Sequence, residues 1–315
     1  MKLPGPVYAL IAFGIYATHD VVIKTLGAHY APFQIIFFST VFSFPLVIFM
    51  LMRDPTEGHL RPVHPWWSAL RTGSAVVTSL SAFYAFSALP LAQVYVMLFA
   101  APLLVTLLAI PMLGEKVGLH RMFAVLLGLI GVIVVLRPGS TDLSLGHLAG
   151  LSAAFFLALG SVIMRKIGQE ERAAVLMLYP MLANFVVTGA ILALVYEPMP
   201  VEHLGLTGII SLFGFVAGLL MISAYRNGDA AVVAPMQYSQ ILWATGFGYF
   251  LFGEKLDIAT GIGAGLIIVS GIYIVIRESR LGAESQTPVL RTRSRASSAA
   301  SFRISPWLRL KNPRR

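Results

Sequence analysis

Gly114-Glu115-Lys116 recurs as Gly253-Glu254-Lys255, 139 residues further along the chain. Each copy closes a long apolar run that contains a proline, and each opens another run rich in Gly, Ile and Val. With one extra residue allowed in the second loop, Ala124, Gly131, Val135 and Arg137 fall on Ala264, Gly271, Val275 and Arg277. A repeat with that period constrains the fold more than any single motif, because it makes the chain two related halves.

The apolar runs decide what the halves are built from. Hydrophobic residues make up 57% of the chain and charged residues 12%, with a mean hydropathy of +0.80, whereas about a quarter of the residues in a soluble domain are charged. The composition is that of an integral membrane protein. A helix crossing the hydrocarbon core takes about 20 apolar residues, and that ruler predicts ten segments, at 7–27, 32–52, 66–88, 91–113, 121–136, 147–164, 173–196, 206–225, 230–252 and 258–276. The first follows only Lys2, holds His19-Asp20 and lacks a small-residue cleavage site, so it is expected to be a retained helix rather than a signal peptide. The expected fold is all-α and integral to the membrane, with ten transmembrane helices as two five-helix repeats, 1–137 and 147–277, joined by an external linker at 138–146.

Charge sets the orientation. Of the net +9, a balance of +8 lies in the stretch from Ser279 to Arg315, which is basic and Ser-rich and is expected to be a disordered cytoplasmic tail, 278–315, resting on anionic lipid. No fold-forming pattern accompanies that charge, which argues against a nucleic-acid partner. With the N-terminus inside, the predicted cytoplasmic loops and N-terminus carry Lys2, Arg53, Arg61, Lys116, Arg121, Arg165, Lys166, Arg172 and Arg226, against Lys24, Arg137 and Lys255 outside. That asymmetry supports cytoplasmic termini in an inner membrane. Five segments per half is an odd number, so the second half enters from the opposite side and the repeats are inverted, an arrangement that places a site near the midplane in secondary transporters.

Here the chain resembles the EamA-type members of the drug/metabolite transporter superfamily. The likeness rests on the run from Tyr84 through Leu89-Pro90-Leu91-Ala92 and Ala101-Pro102 to Leu113-Gly114-Glu115, then Gly128 to Gly131. Val233-Ala234-Pro235 to Phe252-Gly253-Glu254 repeats it in the second half. The resemblance implies ten helices, a central cavity and ATP-independent transport of a small organic metabolite such as a vitamin, a nucleoside-like compound, an amino acid or a drug. Members that carry riboflavin or S-adenosylmethionine look similar around the first segment, where Asp20 and Lys24 stand.

Charged groups inside a span are costly and point to function. Asp20 and Lys24 are four apart on one helix face, with His19 about 100° round. One reading makes Asp20, with His19, the group that takes up a proton or a cationic part of the solute, with Lys24 as counter-ion. The other is a structural ion pair at a helix end. Arg71 either meets a solute carboxylate or snorkels to headgroups. The ninth segment holds Gln237, Tyr238, Gln240 and Trp243 behind Pro235, and the fourth holds Gln93, Tyr95 and Pro102. With Tyr84, Tyr179 and Asn184 these are the candidates for a cavity lining, or else for interhelical hydrogen bonds. Pro102 and Pro235 are the candidate hinges. Glu115 and Glu254 are expected to fix loops. Gly214/Gly218 and Gly261/Gly265 have the spacing of close helix contacts, including those of a homodimer.

The chain has no cysteine, which excludes disulfides and thiol chemistry, and no metal or cofactor is expected. It has no phosphate-binding Gly-x-x-x-x-Gly-Lys-Ser/Thr loop, no His-Glu-x-x-His and no Gly-x-Ser-x-Gly, which argues against a primary pump and against hydrolases of those types. The alternatives to the metabolite carrier are an amino-acid or drug efflux carrier of the same fold and a membrane enzyme that modifies lipid.

Overall fold

The computed structural model describes residues 3–52, 60–115, 118–137, 143–168, 170–227 and 233–280. The tail beyond Arg280 and residues 138–142 of the expected linker lie outside that range. Among the described residues all regular structure is helical: α1 (Gly5–Gly27), α2 (Pro32–Met52), α3 (Pro65–Ala88), α4 (Leu91–Leu98), α5 (Ala101–Leu113), α6 (Leu119–Leu136), α7 (Leu145–Ile167), α8 (Ala173–Val195), α9 (Val201–Arg226), a 3₁₀ segment (Ala234–Ser239), α10 (Gln240–Phe252) and α11 (Ile258–Arg280). A chain this apolar has few side chains to satisfy its backbone, and helices satisfy it internally. Among the described residues, six helical stretches are long and apolar enough to cross a membrane: Gly5–Gly27, Pro32–Phe49, Leu91–Leu113, Ala174–Val195, Leu145–Ile167 and Val201–Ala224. Shorter apolar stretches run from Met122 to Leu136 and from Ile258 to Ile274.

Two of the expected segments are broken, both beside proline. Residues 91–113 divide at Phe99-Ala100, and Pro102 opens α5; proline has no N–H to give to the carbonyl of Leu98, and its ring crowds that carbonyl. In the ninth segment, of which the structure describes the residues from 233 on, the 3₁₀ segment with Pro235 in its first turn precedes α10. The two copies of the repeated tripeptide end their helices alike. Gly114 and Gly253 take φ of 69° and 64°, the left-handed region in which a side chain costs about 1–2 kcal/mol. The next amide then turns back over the helix, from Glu115 to Ala109 O at 3.4 Å and from Glu254 to Gly248 O at 2.9 Å.

Packing crosses the middle of the sequence. The most extensive packing is of α1 with α9, α3 with α7, α6 with α11, α2 with α8, α5 with α7 and α2 with α9. Each pair joins a helix of the first half to one of the second. Small residues permit the close approaches: a Cβ on Gly131 would lie 2.7 Å from Gly263 O, and one on Gly263 would lie 2.5 Å from Gly131 O. The axes can be levelled from contacts. Gly27 packs on Ser87, so α1 and α3 end together. Gly146 meets Leu89, the Ser81 hydroxyl donates to that of Ser152 at 3.2 Å, and Gly160 faces Ser74, so α7 runs antiparallel to α3.

Candidate functional site

The space inside the molecule opens around His19. On one side a cavity of about 400 Å³ lies between α1, α2, α3, α8 and α9, with Tyr16, Ser39, Ser43, Asn184 and Ser211 in its wall. On the other a cavity of about 270 Å³ lies between α1, α3 and α7, where Asp20, Arg71, Thr78, Phe83, Phe156 and Ser161 line it. His19, Ala75, Ser79 and Phe83 belong to both walls. Each cavity therefore draws on helices from both halves, and their combined size is that of an ordinary small-molecule pocket.

Asp20 is fully buried. Tyr95 of α4 donates its hydroxyl proton to Asp20 Oδ2, and His19 Nδ1 lies 2.8 Å from Oδ1. A carboxylate on Nδ1 orients the imidazole and leaves Nε2 for the cavity side, where Gly214 of α9 lies beside the ring. Lys24, one turn beyond Asp20, gives its ammonium to Glu254 at 2.8 Å and to Leu89 O. The counter-ion role read from the i, i+4 spacing thus passes to an acid 230 residues away in sequence.

Arg71 is 8% exposed, so it does not snorkel. Its Nη1 donates to Leu176 O, the carbonyl four residues before Pro180, which proline deprives of its helical partner. One bond uses one of five guanidinium donors, and among the described residues no carboxylate pairs with it. Thr78 Oγ1 and Asn184 Oδ1 are buried in the cavity walls without a hydrogen-bond partner; Asn184 donates to Ser79 Oγ at 3.4 Å.

The other sequence candidates stand elsewhere. Tyr84 is 38% exposed and Tyr179 37%, neither lining either of these two cavities, and the Tyr179 hydroxyl donates to Leu60 O at 3.1 Å. Gln93 sits near Glu254 and Lys255 at the far end of α4. Tyr238 is buried edge-on to Phe99 at 5.2 Å and packs on Gly271, where any Cβ would overlap its hydroxyl. Gln240 is buried, with Nε2 unpaired. Trp243 lies over Gly14 of α1, 3.4 Å from where a Cβ would stand, and is 43% exposed. Gln237 is half-buried in the 3₁₀ segment. The ninth segment's polar group is drawn away from the cavities because α10 packs on α4 and α1. Gly214 and Gly218 line the first cavity, whereas Gly265 has open space before it.

Sequence reading did not connect Glu115 and Glu254 to basic residues across the halves. Arg165 of α7 pairs with Glu115 at 2.5 Å, as Lys24 of α1 pairs with Glu254. The signal was present: each half has a basic residue near the end of its first helix and an acid directly after its left-handed glycine.

Comparison with known proteins agrees with this architecture. An S-adenosylmethionine uptake transporter of Rickettsia bellii is 25% identical over 264 residues, which is 84% of this chain and 90% of the relative. A pseudopaline exporter of Pseudomonas aeruginosa is 25% identical over 275 residues, 86% and 95% of the two chains. A solved crystal structure with 19% identity covers 89% of this chain and 98% of its own at a TM-score of 0.56, which shows a shared fold. The model of the EamA-like transporter family matches twice, over residues 3–137 and 144–277. On that double match, carried by apolar helices and by relatives that are themselves transporters, the chain is a multi-pass membrane protein and belongs to the EamA-like transporter family.

Proposed function

We propose that this protein is a secondary carrier of a small organic metabolite. It works by alternating access between two inverted halves of five crossings each, with both termini cytoplasmic. The observation that carries the reading is the pair of cavities around His19, walled by helices of both halves and holding Asp20 and Arg71 among apolar neighbours. Such groups are costly inside a membrane unless they face a pathway or each other.

The inverted arrangement draws support from the matched caps at Gly114 and Gly253 and from the antiparallel run of α7 against α3 while α1 ends beside α3. In a rocking mechanism the two cross-half ion pairs act as latches. Lys24–Glu254 holds the outer mouth and Arg165–Glu115 the inner one, and each must part when its own mouth opens. The breaks beside Pro102 and Pro235 supply the hinges. Asp20, with His19 against its carboxylate, is the proton-coupling group, since a buried carboxylate on a cavity wall inside a span is costly unless it serves a pathway. The two named relatives are called an uptake transporter and an exporter, so the family's architecture serves both directions.

The test is counterflow in proteoliposomes with a panel of S-adenosylmethionine, aromatic amino acids and riboflavin at two pH values. Saturable, competitor-sensitive exchange of one solute is expected. Lipid turnover without exchange, or single-channel currents, would replace the reading with an enzyme or a channel.

A further inference from the structure

Resting on that reading, the charges along the second cavity narrow the solute. The ionisable groups of that wall are His19, Asp20 and Arg71. The acid already has a phenol and an imidazole upon it. The guanidinium is buried, is tethered through one nitrogen to Leu176 O, and meets no carboxylate among the described residues. An uncompensated buried cation is unstable unless something anionic visits it. On the same face of α3 as Arg71, two turns along, Thr78 Oγ1 is buried without a partner, a second group for an anion to use.

The ends are well separated. Because Gly27 is level with Ser87, Asp20 is level with residue 80, and Arg71 stands nine residues below it, about 13 Å of helix rise. One α-amino acid head cannot touch both. A solute about 10 Å long between its ends, hydrogen-bonded at each, fills the distance. Between the ends stands Phe156, whose place on α7 falls between Ser152, opposite Ser81, and Gly160, opposite Ser74, an aromatic wall that suits a ring.

We propose that the carried solute is amphoteric and extended: a carboxylate held by Arg71, a cationic N–H group held by His19 backed by Asp20, and an apolar or flat portion between them. Such a solute gives its carboxylate to the buried guanidinium and its N–H to the ring that Asp20 braces, so that the loaded carrier closes with the guanidinium paired. A short zwitterion or a solute with one charged end meets only one of the two ends.

Gly-Phe-Gly serves as a ruler, since three residues span about 10 Å. Its N-acetyl form lacks the cation, its C-terminal amide lacks the carboxylate, and free Phe is too short. Binding is read from thermal stabilisation of the purified full-length protein, which ligand affinity sets directly. Gly-Phe-Gly is expected to bind at least tenfold more tightly than any of the three controls. Arg71→Gln should erase its advantage over the amide while keeping its advantage over the acetylated form, and Asp20→Asn should do the reverse. Arg71→Lys keeps the charge and should keep the carboxylate preference, which covers the case in which the Gln variant does not fold. Equal binding of all four ligands, or losses that do not sort by end, would overturn the proposal. Counterflow run beside it separates the two readings: exchange without the end preference rejects the amphoteric solute and keeps the carrier, while end-selective binding without exchange rejects the carrier and keeps the site.

Discussion

Lys24 and Glu254 lie 2.8 Å apart, with 13% and 16% of their side chains exposed, and they join the last turn of α1 to the loop behind α10. Glu254 also accepts from the amide of Leu91 at 2.9 Å, and Lys24 donates to Leu89 O, so one ion pair binds three junctions of the chain. Its counterpart, Arg165–Glu115, is at the other end of the bundle, where Lys166 lies 4.2 Å from the ring centroid of Trp67 at the start of α3.

Removing one partner of a shielded pair strands the other. Lys24→Met and Glu254→Gln are each expected to lower the melting temperature clearly and to slow exchange about tenfold, equivalent to about 1.4 kcal/mol. The swap Lys24→Glu with Glu254→Lys should recover part of both losses. Melting curves and counterflow rates on the four proteins check this, and a swap no better than the worse single variant would count against a direct pairing.

Gly248 offers the same test without touching charge. A Cβ there would stand 2.6 Å from Glu254 Oε2, so Gly248→Ala should push the carboxylate off Lys24 and reproduce the Glu254→Gln phenotype. Gly246→Ala is the control, since nothing lies within 4 Å of its Cβ position. Paired thermal melts and exchange rates separate the two.

Tyr95→Phe removes the phenol that donates to buried Asp20. A hydrogen bond to a charged group is worth about 1.5–3 kcal/mol, so its loss should alter the exchange-versus-pH profile, whereas Asp20→Asn should flatten it. An unchanged profile in both variants would remove His19 and Asp20 from the coupling role.

Gly271→Ala should destabilise the protein strongly, because its Cβ would overlap the Tyr238 hydroxyl at 1.6 Å and the buried ring is hemmed in by Phe99. Gly265→Ala, with open space before it, should melt like the parent. Thermal unfolding of the two variants in detergent tests this directly.

The helices could be read from the sequence because the signal is local. Twenty apolar residues between polar breaks specify a crossing helix wherever it ends up, and 173–196 was found within one residue of α8. Pro102 and Pro235 announced the helix breaks for an equally local reason, the missing N–H. The site was legible only in part. Asp20, Arg71 and Asn184 stand out in the sequence as polar groups in apolar runs, and all three line the cavities. Tyr84, Trp243 and Gln237 have similar sequence credentials and do not, because a helix's rotation about its own axis depends on which neighbours it meets.

The sequence by itself determined that the chain consists of two related halves of apolar helices, with the acid of each Gly-Glu-Lys set beyond a left-handed glycine. Propensity, hydropathy and repetition act along the chain and need no third dimension. Only the tertiary structure decided that Lys24 serves Glu254 rather than Asp20, that Arg71 turns inward onto the carbonyl freed by Pro180, and that the cavities form around α1 and α3 rather than α10. Those outcomes depend on distances between residues far apart in sequence. The close packing of small residues between the halves sets them.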